Sequence, residues 1–350
     1  MPVQVLQRLP VQAGIQDLPV RALDRVMQGY RHILCNLHTS PFLTHLGFFP
    51  EQVSLSVAHT LVGPYTSGME DWERLLALPV VTLRTQLVPR DFRALEERWW
   101  ASTIRGGLGR ALRFLLCRCR ERSHLPGCVF ARLFAPAAEE GGDSGMLPPW
   151  RLTVNVADSH LQANFRLFGE ATEFTEAFLL ALESAAFRGL GRQRFRVTVL
   201  GKDETAFERL APDRWDSNLT LELKSPVRLQ ERGTIITQAP SFSQVFASAQ
   251  RKVRLAARSW CGVELSFPQQ QMYMARHVTV ASASVRWVEM GRYSQRQQRF
   301  MRLGGLQGAL KFAGEWSFAW PWLRFLPALG LGKLTTMGFG EVAWEPTPEA

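Results

Sequence analysis

From Val80 onward the hydrophobic pattern changes period in a set order, and that order restricts the folds open to this chain more than any other feature. Val80-Val-Thr-Leu-Arg-Thr-Gln-Leu-Val88 alternates and is rich in β-branched residues, which predicts a strand. Phe92, Leu95, Trp99, Ile104, Leu108, Leu112 and Leu115 then recur at helical spacing. Gly106 and Gly107 inside that run each cost a helix about 1 kcal/mol and so mark either a break or a close backbone approach. Cys128-Val-Phe-Ala-Arg-Leu-Phe134 reads as the next strand. Strands near residues 152–156 and 163–168, a helix near 173–187 and a strand at 195–200 follow. Apart from one strand to spare, the order is the β-α-β-β-α-β of a ferredoxin-like fold, which is the fold expected.

A second cycle follows a spacer at residues 203–216. Leu219-Thr-Leu-Glu-Leu223 is strand-like. Phe242, Val245, Phe246, Ala249, Val253, Ala256 and Trp260 make the best amphipathic helix in the chain, and residues 278–288, 306–312 and 339–344 alternate again. The expected fold class is α+β: two tandem ferredoxin-like folds, residues 79–202 and 203–350, behind an amino-terminal extension, residues 1–78. The extension has a helical pattern at 20–37 and a strand pattern at 52–57. Residues 136–149 are a loop by composition.

The net charge is +10, and of the 41 basic residues only Lys202, Lys224, Lys252, Lys311 and Lys333 are lysines. An excess of arginine, whose planar fork matches phosphates and base edges, points to a nucleic-acid partner. The most apolar late stretch, residues 318–331, is interrupted by Arg324, Pro321 and Pro327, and the first residues lack a basic-then-apolar leader pattern, so no membrane association is expected. Five cysteines without framework spacing suit a reducing cytoplasm. Cys117, Cys119, His124 and Cys128 are close enough in sequence to raise zinc, but the first pair has one intervening residue where two to four are usual, so neither a metal site nor a cofactor is expected. The eleven tryptophans read first as core, with Trp99-Trp100 and the group from Trp316 to Trp322 as candidates for base stacking.

Near the carboxy terminus, Gly330-Leu-Gly-Lys-Leu-Thr-Thr-Met-Gly-Phe-Gly340 is a loop suited to phosphates. Gly330, Gly332, Gly338 and Gly340 allow positive φ, Lys333 brings a point charge, and Thr335 and Thr336 bring hydroxyls. Its spacing fits neither a Walker A loop nor a dinucleotide fingerprint.

Four segments in order resemble a known family, the CRISPR-associated endoribonucleases that process precursor CRISPR RNA, of the RAMP superfamily. They are Arg105-Gly-Gly-Leu-Gly-Arg110, Leu223-Lys-Ser-Pro-Val-Arg-Leu229, Arg292-Tyr-Ser-Gln-Arg-Gln297 with Gly304-Gly-Leu-Gln-Gly308, and the terminal loop. The resemblance implies a metal-independent cut: a 2′-hydroxyl attacks the adjacent phosphorus and leaves a 2′,3′-cyclic phosphate. It further implies a CRISPR repeat hairpin as substrate and crRNA as a retained product, with other Cas subunits of a multisubunit effector complex as partners. Such chemistry needs alignment, a base, and cations for the phosphorane charge. Arg105, Arg110, Lys333 and the loop amides are the expected phosphate holders. Arg292, Arg296, Arg299 and Arg302 would grip a stem, the first three sharing a face if helical. For the base the candidates are His124, set among Arg118, Arg120 and Arg122, and His38, near Tyr30 and His32. The alternative is a non-catalytic RAMP subunit that binds and caps guide RNA.

Overall fold

The structure, a computed structural model, describes residues 69–91, 95, 99–119, 124–125, 127–134, 146–210, 219–294 and 299–346. The patterns read at residues 20–37 and 52–57, and most of the 136–149 loop, lie outside them. After helix α1 (Met69–Leu76) the first unit runs β1 (Pro79–Pro89), α2 (Trp100–Leu116), α3 (Val129–Phe134), β2 (Trp150–Val156), β3 (Leu161–Phe168), α4 (Thr175–Arg188) and β4 (Phe195–Ala206). Its sheet has the order β2-β3-β1-β4 with antiparallel neighbours throughout. The second unit runs β5 (Leu219–Val227), a two-residue pair β6 (Gln230–Glu231) and β7 (Thr234–Ile235), α5 (Phe242–Ala256), α6 (Gln269–Ala275), β8 (Thr279–Ser294), β9 (Arg299–Ala313), α7 (Trp320–Leu323), α8 (Leu326–Leu329) and β10 (Val342–Pro346). Its sheet order β10-β5-β9-β8 repeats the first arrangement strand for strand, so the chain is two tandem ferredoxin-like folds.

Each fold is held by an apolar helix face laid on a sheet. In α2 the buried positions Ile104, Leu108, Leu112 and Leu115 meet Leu83, Leu87 and Leu152 within one core; each buried leucine contributes on the order of 2 kcal/mol. Helix α5 begins with a capping box, Ser241 and Gln244 each satisfying the other's backbone N–H, and buries Val245, Phe246, Ala249 and Val253. Phe168 and Phe207, from the first unit's part of the chain, join the second core, Phe168 stacking on Trp260 at 4.7 Å and Phe207 on Phe325 at 4.7 Å. Trp100, Trp316, Trp320 and Trp322 are buried in these cores, so they stack no bases. No helix among the described residues is long and apolar enough to cross a membrane.

Two local expectations are corrected and one alternative is resolved. Cys128–Phe134 is not a strand: Val129–Phe134 is helical, since a seven-residue apolar run is too short for its period to separate the two states. The first sheet therefore keeps four strands. Of the two readings of the α2 glycines, the close approach holds at Gly107: the helix is unbroken, and a Cβ there would lie 2.6 Å from Leu190 Cδ2 and 3.1 Å from Ala185 Cβ, so Gly107 lets α2 approach α4. The expected spacer from residue 203 is partly strand, because β4 stays paired with β1 through Ala206.

Candidate nucleic-acid interface

The glycine-rich segment joins α8 to β10 and lies against both units. Gly330, Gly332, Gly338 and Gly340 all have positive φ, from 75° to 81°, as the sequence requires. At Gly332 and Gly340 a side chain would strike the carbonyls of Arg228 and Leu331, so backbone proximity fixes these two residues. The proximity is used in hydrogen bonds: Leu331 N–H donates to Gly340 O at 2.9 Å, Lys333 N–H to Arg228 O at 3.0 Å and Gly340 N–H to Pro226 O at 3.0 Å. Met337 and Phe339 donate to the carbonyl of Leu334 at 2.8 and 3.4 Å. Much of the loop's amide capacity therefore serves the protein's own backbone, which leaves side chains as the segment's main donors to any other group.

Those side chains come from both units. Arg105, on α2, donates from Nε to Thr336 Oγ1 at 3.1 Å, with its guanidinium 4.6 Å from the Phe134 ring centre. Trp99 Nε1–H donates to Met337 O at 2.7 Å, and its ring meets Phe339 edge-on. Thr335 and Thr336 are buried, whereas Lys333 is exposed and donates to the side-chain carbonyl of Gln230. Arg110 is exposed but five residues from Arg105, about 140° around the helix, so the two do not share a face.

Two further cations are placed by the structure and were not singled out from the sequence. Arg228 joins three of the motif segments: it directly follows β5, donates from Nη1 to Gly304 O at 2.9 Å and accepts the Lys333 N–H on its carbonyl. Lys252, on α5, is buried beneath the loop and donates from Nζ to Gly332 O at 2.9 Å and toward Thr335 Oγ1 at 3.5 Å. Burial, with the neighbouring Arg151 charge, pushes the Lys252 ammonium down to about 7. Arg151 is buried as well and brought down to about 10, and both it and Arg166 donate to the carbonyls of Pro327 and Ala328 at the end of α8. Arg228 stood inside a motif already noticed. A lysine on an amphipathic helix gave no such signal.

The hairpin β8–β9 is longer than its sheet. Strand β5 pairs with β9 only as far as Leu306, while β8 and β9 remain paired from Thr279 with Ala313 to Ser294 with Arg299. The protruding arm carries Arg292 opposite Met301 and Arg302 opposite Gly291. Arg292 and Arg299 thus belong to strands rather than to one helix face, a correction: their spacing matched a helix by coincidence. Arg302 is exposed, 3.9 Å from Glu289, and Phe300 is 65% exposed at the tip. Arg296 and His38 lie outside the described residues.

His124 is not near the glycine loop. It sits beyond the carboxy-terminal end of α2, with Nδ1 3.4 Å from Cys117 Sγ. Cys117 follows Arg105 by twelve residues, about 18 Å along the helix axis. The other described histidines, His160 in the β2–β3 turn and His277 before β8, make no hydrogen bond to the loop.

Residues 221–342 match the model of the CRISPR-associated endoribonuclease Cas6 family, and residues 78–209 match a second model described as an N-terminal domain. No curated protein matches the chain. Among solved structures, a Cas6 product complex shares 17% identity over 76% of this chain and 99% of its own, with TM-score 0.45. Thermus thermophilus Cas6 shares 15% identity over 77% and 98%, with TM-score 0.46, and a Cas6-RT-Cas1–Cas2 complex shares 9% over 78% and 29%, with TM-score 0.48.

Proposed function

We propose that this chain, which carries a CRISPR-associated Cas6 endoribonuclease domain in residues 221–342, binds the hairpin of a CRISPR repeat RNA and cuts the precursor at the hairpin's base. The observation that carries the reading is the junction at Thr336, where a cation from the first fold is fixed on the glycine loop of the second. A phosphate lying over the loop would meet Lys333 from one side and Arg105 from the other. The arm of β8 and β9, with Arg292, Arg299 and Arg302, reaches away from the sheet toward the stem.

The reaction is attack of a 2′-hydroxyl on its own phosphorus, with Arg105 and Lys333 stabilising the charge that builds on the phosphorane. DNA lacks the nucleophile and is not cut. The reaction as proposed runs without a metal, since its nucleophile is the RNA's own 2′-hydroxyl and no metal-bound water is called for. For the base the proposal keeps His38, one of the two candidates read from the sequence, since the other, His124, stands away from the loop. The cleaved crRNA stays on the basic surface and is passed into a multisubunit effector complex with other Cas proteins. The placement of His124 and His160 away from the loop also favours a second reading, a subunit that binds and caps guide RNA without cutting it.

The test is brief incubation of the purified protein with labelled repeat RNA in EDTA, beside the same RNA with a 2′-deoxy nucleotide at the scissile position. One cut, absent from the deoxy substrate and leaving a cyclic phosphate, is expected. Tight, salt-sensitive binding without a cut would replace the nuclease with the capping subunit.

A further inference from the structure

The four residues set aside on spacing grounds are brought together by the fold. Cys117 caps the end of α2, Cys128 directly precedes α3, and Cys119 and His124 lie on the connection between them. Their donor atoms all fall within 4.8 Å of one another. Cys117 Sγ to Cys128 Sγ is 3.9 Å, Cys117 Sγ to His124 Nδ1 is 3.4 Å and Cys128 Sγ to His124 Nδ1 is 3.6 Å. None of the three cysteines is in a disulfide.

These separations are those of a coordination shell. With Zn–S near 2.3 Å and Zn–N near 2.0 Å, tetrahedral corners stand about 3.8 Å apart for two sulfurs and about 3.5 Å for sulfur and nitrogen. The single residue between Cys117 and Cys119 is no obstacle in this geometry. The helix ends at Cys117, whose backbone is extended at φ −96° and ψ 124°, and side chains two apart on an extended chain point the same way. The Leu125 N–H donates to Cys119 Sγ at 3.2 Å, the kind of backbone contact that orients a thiolate ligand.

We propose that Cys117, Cys119, Cys128 and Nδ1 of His124 bind a structural Zn²⁺ ion. Three thiolates and an imidazole are a soft, closed tetrahedral set, which suits zinc and leaves no open position for catalysis. Binding releases the three thiol protons, and the neutral His124 ring carries its hydrogen on Nε2. The ion ties the end of α2 to the start of α3, a helix too short to be stable alone. That helix supplies Phe134, which packs on Gly109 and Trp150 and carries the Arg105 guanidinium on its ring. The zinc therefore holds the scaffold that aims Arg105 at the loop, and His124 is its ligand rather than a base.

The experiment is metal analysis of the full-length protein, purified without an affinity-tag histidine run from zinc-supplemented cells, with release by a thiol-blocking mercurial followed colorimetrically. One zinc per chain is expected. Exchange with Co²⁺ should give the intense visible bands of a tetrahedral thiolate site, a readout that needs no variant and no cleavage. Cys128→Ser and His124→Ala should lose the ion and melt at lower temperature, while Cys261→Ser keeps it. Reconstituted wild-type protein that holds far less than one zinc, lacks the cobalt bands, or loses its zinc equally in Cys261→Ser would overturn the site.

Discussion

Arg105 Nε lies 3.1 Å from Thr336 Oγ1, and this bond joins a helix of the first fold to the loop of the second across 231 residues of sequence. The guanidinium is held between a hydroxyl and the Phe134 ring, so its remaining N–H groups keep a fixed direction. Replacing it tests whether that direction matters to RNA. Arg105→Ala should slow single-turnover cleavage on the order of 100-fold, the usual loss when one donor to a developing oxyanion is removed. Thr336→Val, which leaves the arginine but not its anchor, should cost about a tenth of that. Equal rates for wild type and Arg105→Ala would take the arginine out of the reaction.

Two glycines of similar appearance in the sequence should respond in opposite directions. Gly332 has φ +75° and an added Cβ would strike the Arg228 carbonyl oxygen, so Gly332→Ala meets both backbone strain and a clash and should lose on the order of 1–3 kcal/mol. Gly106 is exposed on α2 with nothing within 4 Å of an added Cβ. Gly106→Ala should therefore gain about 0.5–1 kcal/mol through lower unfolded-chain entropy. Urea unfolding of the two variants checks both signs.

That contrast indicates how far the sequence could be read. Strand β1 was legible because one face of an antiparallel strand is buried: Val81, Leu83, Thr85 and Leu87 point inward and Arg84 outward. Helix α5 was legible from its apolar stripe. Helix α3 was not, since Val129–Phe134 spans less than two turns and carries no period. The arginines of the β8–β9 arm were misread because three- and four-residue spacings also arise across a hairpin turn. The closeness of the cysteine cluster was not legible either: its donor atoms come within 4.8 Å of one another because the helix ends at Cys117 in an extended conformation, which spacing alone does not reveal. Buried cations such as Lys252 and Arg151 leave no mark in sequence, because what distinguishes them from solvated ones is long-range packing.

The exposed cations should act on affinity without touching the fold. Lys333→Ala and Arg302→Ala each remove one solvent-facing charge. Each should weaken repeat-RNA binding and lower the slope of log K against log salt by about 0.7–0.9 if it contacts a phosphate. Melting temperatures should stay at the wild-type value. A slope unchanged in Lys333→Ala would mean that the glycine loop does not meet RNA phosphate.

Lys252 gives the fold a pH dependence of its own. The group is buried and its ammonium is brought down to about 7, against an ordinary 10.5 for the unfolded chain. Below pH 7 both states are protonated and the cost of burying the charge is fully present. Between pH 7 and 10.5 the unfolded chain holds the extra proton, so stability rises with pH by up to about 1.4 kcal/mol per unit. A neutral amine still has hydrogens for Gly332 O and Thr335 Oγ1, which makes the uncharged form the better tenant of the site. Lys252→Met removes this titration together with both hydrogen bonds. The measurement is the stability difference between wild type and Lys252→Met by urea unfolding at pH 7, 8, 9 and 10. Wild type should gain steadily on the variant over that range. Parallel curves would show that the Lys252 charge is compensated in the folded state and that no desolvation cost is released as it titrates.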